Sequence, residues 1–261
     1  MNINQLKELL ADFSDDIKFE YDLKKKNWFN IGGKTKVYYN ANNLKELINF
    51  LKKIDNRKKI FVLGAGSNTL ITDNIFDGIV IKLSKNFNNI SLLGEDIIIA
   101  GSAALDKNLS EFAINNNLSG FEFLSCIPGT VGGGIKMNAG CFGKEFKDIL
   151  ISIQAIDKKG NIITISSKEM NFEYRNNNLS EDLIFLSASF KGKKGKSSEI
   201  RDYTNQLKER KEISQPTKIK TSGSTFKNPI SQTKKKVWEL IKESVSLKKN
   251  FGDACISEKH S

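Results

Sequence analysis

Histidine is almost missing from this chain: His260 is the only one in 261 residues. A His/Cys metal cluster therefore lacks its nitrogen ligands, and chemistry without a metal is expected. Cysteine is also sparse, with Cys126, Cys141 and Cys255 widely spaced and no C-x-x-C pair. An odd, sparse count argues against a disulfide framework and fits a reducing compartment. No apolar run approaches the ~20 residues of a membrane-spanning helix. The N-terminus, MNINQLKELLADFSDD, carries acids early and lacks an apolar stretch leading to a small-residue cleavage site. It reads as an amphipathic helix and not a signal or transit peptide, so a cytoplasmic location is the expectation.

Charge is present in excess, at +11 net, yet the aromatics that would interleave with lysines in a base-stacking platform are few. Short runs occur only at Lys24–Lys26, Lys193–Lys194 and Lys234–Lys236. Neither nucleic acid nor membrane is expected as a partner, and a monomer is expected. Scattered lysines suit anionic ligands such as a dinucleotide or a UDP-sugar. The length is sufficient for roughly three-quarters of the unfolded surface to be buried, and it suits two or three small domains better than one.

Apolar spacing predicts helices at residues 3–12, Leu44 to Ile54, Leu105 to Asn116, Ser198 to Ile213 and Val237 to Ser244. Strands are predicted at Lys36 to Asn40, Ile60 to Leu63, Gly78 to Leu83, Asp96 to Ala100, Ile149 to Ile156, Ile162 to Ile165 and Leu183 to Phe190. The glycine-containing, lysine-rich stretch 191–196 marks a linker or hairpin tip. The mixture is α+β, without the regular alternation of a doubly wound sheet.

Two phosphate-loop signatures fail. Gly33-Lys34-Thr35 resembles the end of a Walker A loop, but Trp28 stands at its leading glycine position. Gly64-Ala65-Gly66-Ser67-Asn68-Thr69 begins like a dinucleotide fingerprint, but Thr69 replaces the third glycine and no helix pattern follows. What remains is a buried strand followed by a glycine turn, whose backbone N–H groups, with Ser67 and Asn68, can form an anion-binding nest. A second cluster follows at Ile127-Pro128-Gly129-Thr130-Val131-Gly132-Gly133-Gly134, leading into Met137-Asn138-Ala139-Gly140. Pro128-Gly129 calls for a sharp turn, and the glycine run allows backbone to approach a flat ligand closely. Each cluster alone reads as a tight turn; together they point to a nucleotide cofactor.

GAGSN, IPGTVGGGIKMNAG, Tyr174-Arg175, SGSTFKNP at residues 222–229 and SEKH occur in that order. From about Trp28 onward the chain thereby closely resembles the UDP-N-acetylenolpyruvoylglucosamine reductase family of peptidoglycan synthesis, in its shorter, type II form. The resemblance implies a two-subdomain FAD-binding α+β fold of the vanillyl-alcohol-oxidase type, plus a C-terminal α+β substrate domain that is incomplete here. The expected divisions are 1–85, 86–198 and 199–261.

The resemblance also implies FAD near Gly64, Ala65, Gly66, Ser67 and Asn68, and near Ile127, Pro128, Gly129, Thr130, Gly132, Gly133 and Asn138. NADPH would be the reductant and UDP-N-acetylglucosamine enolpyruvate the substrate. Arg175 matches the family arginine that holds the enolpyruvyl carboxylate, and Ser224 the serine that donates a proton. Tyr174, Lys227 and Asn228 would line the substrate side. The family's late catalytic glutamate has no counterpart before Ser261, and Glu258, part of SEKH, does not fill its role. Weak or absent turnover is expected of these 261 residues. Another oxidoreductase of the same flavin fold, or a non-catalytic FAD-binding fragment, are the alternatives. The first of these lacks a histidine near Gly64 for a covalent flavin and leaves GSTFKNP unexplained.

Overall fold

The computed structural model describes residues 2–54, 58–215, 226–248 and 250–257. The chain opens with α1 (Ile3–Leu9), capped reciprocally by Asn2 and Gln5. A first sheet follows from β1 (Ile17–Asp22), β2 (Lys34–Ala41), β3 (Ile60–Val62) and β4 (Phe76–Leu83), with α2 (Leu44–Lys53) between β2 and β3. Its order is β1-β2-β4-β3; β1 runs antiparallel to β2, while β2, β4 and β3 are parallel. Asn43 caps α2 by accepting the Glu46 N–H at 2.9 Å.

The second sheet collects β5 (Ile90–Leu93) and β6 (Ile97–Gly101), then, after α3 (Asp106–Asn115), β7 (Leu118–Ser119), α4 (Val131–Lys136), β8 (Gly140–Cys141) and β9 (Lys144–Glu145), the strands β10 (Leu150–Ile156), β11 (Ile162–Ser166) and β12 (Ile184–Lys191). Its order is β11-β10-β12-β6-β5, antiparallel throughout. β13 (Lys193–Lys194) pairs with β7, so the predicted hairpin tip forms a small ladder. α5 (Ser197–Ser214), α6 (Val237–Ser244) and the hairpin β14 (Asn250–Phe251) with β15 (Ala254–Cys255) complete the described chain. α5, expected to open the third division, buries Ile200, Thr204 and Leu207 and lies against α3 and the 3-10 turn Glu122–Cys126. Among the described residues, no helix is long and apolar enough to cross a membrane.

Strand alternation decides what the first sheet offers on each face. Val37, Tyr39 and Ala41 of β2 and Ile79, Ile81 and Leu83 of β4 point into a core with Leu47, Phe50 and Leu51 of α2. Tyr38 and Val80 point the other way and meet Leu23 and Leu63 in a small cluster. Lys82 shares that second face by the same period of two. The first core also takes in Ile156, Ile184 and Leu186 from the second sheet, so the two sheets are packed on one another.

Several observed elements differ from the sequence reading, among them the short hairpins β8–β9 and β14–β15. β1 and β5 were not expected: β1 alternates apolar and polar residues over Ile17–Asp22, and β5 is four residues long; both leave most positions at least partly open. The glycine run after Thr130, read as backbone open to close approach by a flat ligand, forms the helix α4, which the Thr130 hydroxyl caps by accepting from the Gly133 N–H at 3.4 Å. Glycine there serves packing: a Cβ on Gly134 would lie 2.2 Å from the Phe146 ring.

Candidate functional site

The first glycine loop leaves the carboxyl end of β3, the place where parallel α/β sheets bind ligands. Gly66 has φ +70, and a Cβ there would meet the Lys26 carbonyl oxygen at 2.2 Å. The Gly66 carbonyl accepts the Trp28 N–H at 3.0 Å, and Asn27 pins the neighbouring turn through the Leu23 and Ile31 carbonyls at 3.2 and 2.7 Å. The result is a cavity of about 490 Å³ lined by Lys25, Lys26, Trp28, Tyr38, Gly64, Ala65 and Lys82. Lys82 donates to the Gly64 carbonyl, and burial, then Lys26, hold its ammonium below the usual lysine value. Burial pushes the Tyr38 phenol up to about 12, so it stays neutral and adds no negative charge.

Three lysines and two aromatic rings around one cavity fit a diphosphate joined to a flat ring. A second cavity, about 510 Å³, has the wrong sign for such a ligand. Asp12, Asp15, Asp16 and Glu46 line it, and burial first, then Glu46 and Asp15, raise the Asp16 carboxyl. Among the described residues no group of acids, cysteines or histidines could hold a metal ion.

The two glycine loops meet. A Cβ on Gly64 would stand 2.7 Å from Thr130 Oγ1. The amides of the second loop are spent inside the protein: Val131 N–H on the Ala104 carbonyl and Gly132 N–H on the Ser102 carbonyl, both at 2.9 Å. Its contribution is therefore a close-fitting wall, with Pro128 and Gly133 exposed at its edge. Gly66→Ala is expected to abolish or weaken FAD uptake by at least about tenfold, since backbone clash and positive φ both oppose it. Unchanged FAD titration by fluorescence quenching would show that Gly66 does not shape the cavity.

Arg175 sits in a tight turn closed by reciprocal Glu173 and Asn176 backbone hydrogen bonds, at φ +58. Its Nη1 donates to the Asn138 carbonyl at 3.3 Å and its Nη2 to the Gly140 carbonyl at 3.1 Å. Glu145 lies 3.8 Å away, and the guanidinium stands 5.0 Å over the Tyr174 ring. The left-handed backbone at a non-glycine residue stores about 1–2 kcal/mol. Asn138 is fully buried, and its amide bridges Glu145, the Glu173 carbonyl and the Lys147 N–H, all within 3.1 Å. Asn138 thus ties the β8–β9 hairpin to the turn that carries Arg175.

Asn228 donates to the Tyr174 hydroxyl at 3.2 Å and accepts the first amide of α6, from Val237, at 2.9 Å. That brings the C-terminal segment onto the Tyr174–Arg175 turn. Ser67 and Asn68 lie in the turn after Gly66, and Lys227 is exposed. Ser224 and Glu258 lie outside the described residues.

Sequence reasoning passed over Lys82, Lys26 and Asp106. A lysine inside the apolar run Ile79-Val80-Ile81-Lys82-Leu83 was the available signal for the first. Asp106 is the first-turn acid of α3, yet it is fully buried and neither carboxylate oxygen has a protein partner among the described residues. A Cβ on Gly129 would lie 2.7 Å from its Oδ2. Burial raises the Asp106 carboxyl well above the ordinary value. The folded chain then binds more protons than the unfolded one, so stability is greatest below the unfolded value and falls as pH rises through the raised one. Asp106→Asn is expected to remove that pH-dependent decline, leaving stability flat between mildly acidic and mildly alkaline pH where the natural chain weakens. Urea unfolding at pH 5 and pH 8 would check this; an unchanged pH slope would contradict it.

A glycine loop at a strand end beside a cationic cavity fits a nucleotide cofactor, and the FAD binding domain family matches residues 35–166, which makes this a flavin-nucleotide protein. The chain is 64% identical over 260 residues to a UDP-N-acetylenolpyruvoylglucosamine reductase of Pelagibacter ubique, covering all of this chain and 86% of that one. A Rickettsia typhi protein of the same name is 42% identical over 252 residues, covering 97% of this chain and 84% of that one. The crystal structure of UDP-N-acetylenolpyruvylglucosamine reductase from Thermus caldophilus superposes with a TM-score of 0.81 at 29% identity, over 94% of this chain and 86% of that one. The chain belongs to the UDP-N-acetylenolpyruvoylglucosamine reductase family.

Proposed function

We propose that the protein is an FAD-dependent enzyme that uses NADPH to reduce the enolpyruvyl group of UDP-N-acetylglucosamine enolpyruvate, giving UDP-N-acetylmuramate for peptidoglycan. Family membership supports the reaction. The observation that carries the residue roles is the Arg175 guanidinium, fixed by two carbonyls beneath the Tyr174–Asn228 contact.

FAD, when bound, supplies the hydride that adds to the vinyl group. Lys25, Lys26 and Lys82 would neutralise its diphosphate, and the Gly64–Gly66 turn would let the ligand approach backbone closely. Hydride addition at one vinyl carbon leaves negative charge on the other, spread into the adjacent carboxylate. Arg175, whose planar fork is already oriented, holds that carboxylate and stabilises the charge as it develops. Ser224 delivers a proton to carbon, a contribution worth roughly 10²- to 10⁴-fold in rate. Tyr174, Lys227 and Asn228 contact the UDP-sugar, and residues from about 199 onward close over it. The divisions 1–85 and 86–198 carry the cofactor between them, and the enzyme acts as a cytoplasmic monomer.

The visible spectrum of the purified chain, before and after anaerobic NADPH, tests this reading. Flavin bands that bleach are the expected result. A colourless protein that takes up no added FAD would overturn it.

A further inference from the structure

The β8–β9 hairpin brings the Arg175 turn a carboxylate as well as carbonyls. Gly140 of β8 faces Glu145 of β9 across the ladder, and a Cβ on Gly140 would lie 2.7 Å from the Glu145 Cγ. Glycine at 140 therefore leaves room for the Glu145 side chain to cross the hairpin. The Glu145 Oε2 accepts from the Asn138 amide at 3.0 Å and pairs with the Lys147 Nζ at 2.9 Å, while its Oε1 lies 3.8 Å from the Arg175 Nη1. The following 3-10 turn, Phe146–Asp148, fixes the same residue. The Asp148 carboxylate accepts the Glu145 N–H at 2.9 Å, and the Glu145 side chain caps the Asp148 N–H in return.

At 3.8 Å the carboxylate and guanidinium form a charge pair without a hydrogen bond. The direct bonds of Arg175 go to the Asn138 and Gly140 carbonyls, so the carboxylate reaches it chiefly through Asn138. That residue stands at both ends of the chain of contacts. Its amide donates to Glu145, and its carbonyl accepts from Arg175. Without Glu145 the fully buried Asn138 amide keeps the Glu173 carbonyl as its acceptor, and Arg175 loses the acid that faces it. Both side chains of the pair are mostly buried, so solvent screens their interaction less than it would at the open surface.

We propose that Glu145 is a positioning residue for the enolpyruvyl reduction: it fixes the Arg175 guanidinium through Asn138 and faces its charge directly. A fork aimed by two carbonyls tolerates little tilt, since a displacement of about 1 Å at a positioned group can cost on the order of 10²-fold in rate. Glu145 has the same sign as the substrate carboxylate that Arg175 would hold. It therefore adds orientation and no anion affinity, and its removal slows the reaction without weakening substrate binding. The hold on Arg175 stands independently of the proposed function; the effect on rate rests on it.

Two measurements on the FAD-loaded chain test this. The sequence has four arginines, so the side-chain N–H signals of Arg175 can be assigned in a nitrogen–proton correlation spectrum by their loss in Arg175→Lys. They are expected to be sharp in the natural chain and in Glu145→Gln, which keeps an acceptor for Asn138, and broadened in Glu145→Ala, which does not. The second measurement is anaerobic reoxidation of NADPH-reduced flavin by UDP-N-acetylglucosamine enolpyruvate. Glu145→Ala is expected to slow it at least about tenfold at saturating substrate, and Glu145→Gln to stay within about threefold of the natural rate. Half-saturation and bleaching by NADPH should not change. If Glu145→Ala fails to fold, Glu145→Asp, which keeps the charge but falls one methylene short of Asn138, replaces it with the same expectations. Unchanged Arg175 signals in that chain, or a raised half-saturation at an unchanged rate, would overturn the positioning role. A glutamine chain as slow as the alanine one would overturn the route through Asn138. A natural chain whose reduced flavin the sugar does not reoxidise would strike the proposed function, and the Arg175 signals would still decide the hold.

Discussion

Replacing Arg175 by glutamine is expected to lower turnover of the enolpyruvyl sugar by about 10²- to 10³-fold, the usual loss when one preorganised charge-stabilising group is removed. NADPH should still bleach the flavin, because the cationic cavity around Lys82 is separate from the Arg175 turn. The guanidinium is already fixed on the Asn138 and Gly140 carbonyls, so little reorganisation accompanies the reaction. The deficit should fall on kcat. If KM rises while kcat holds, Arg175 merely anchors the substrate and its assigned role is wrong. Arg175→Lys keeps the charge but loses the fork, and should fall between the two.

Phe50→Ala is expected to cost about 3–5 kcal/mol, the range for deleting a fully buried aromatic ring. Phe50 has no exposed surface, stacks on Tyr39 with centroids 4.0 Å apart, and meets Phe13 edge-on at 5.5 Å. The cavity would open where α1, α2 and the first sheet converge, and rigid strands on one side leave little room for collapse. Thermal or urea unfolding reads the loss directly; on the order of 10 °C in Tm follows for a chain of this size. A change under about 1 kcal/mol would mean that the α2 face packs loosely.

Much of the fold was legible because periodicity survives in long apolar elements. Residues 44, 47, 48 and 51 announced α2 before its packing was known, and Ile79 and Ile81 announced β4. Of the strands that escaped, β5 is four residues long and carries little pattern of its own, whereas β1 alternates strictly over Ile17–Asp22 and was legible by the period of two; both pair with longer neighbours. α4 escaped because three glycines oppose a helix by propensity, whereas the Thr130 cap and the fit against Phe146 favour it. Arg175, Tyr174 and Asn228 could be nominated from motifs, but their meeting depends on a turn and a long-range contact that spacing does not encode. Asp106 is invisible for a related reason, since burial is a property of the packed molecule and a helical first-turn aspartate gives no sign of it, whereas Lys82 carries the single hint of an apolar run around it.

The contact between Gly64 and Thr130 has a bearing on time as well as space. The first loop is synthesised well before the second, and the core beneath the first sheet is itself completed by Ile156, Ile184 and Leu186. A nascent chain that has made only β1 to β4 holds the residues lining the cationic cavity but lacks the wall that the second loop adds, and distant pairings of this kind form slowly. Ligand capture becomes a late event, and its free energy adds to stability only after both halves have docked. Yellow colour in a purified sample would then serve as a readout of finished assembly, because a half-made chain lacks the wall at Thr130 that closes on Gly64.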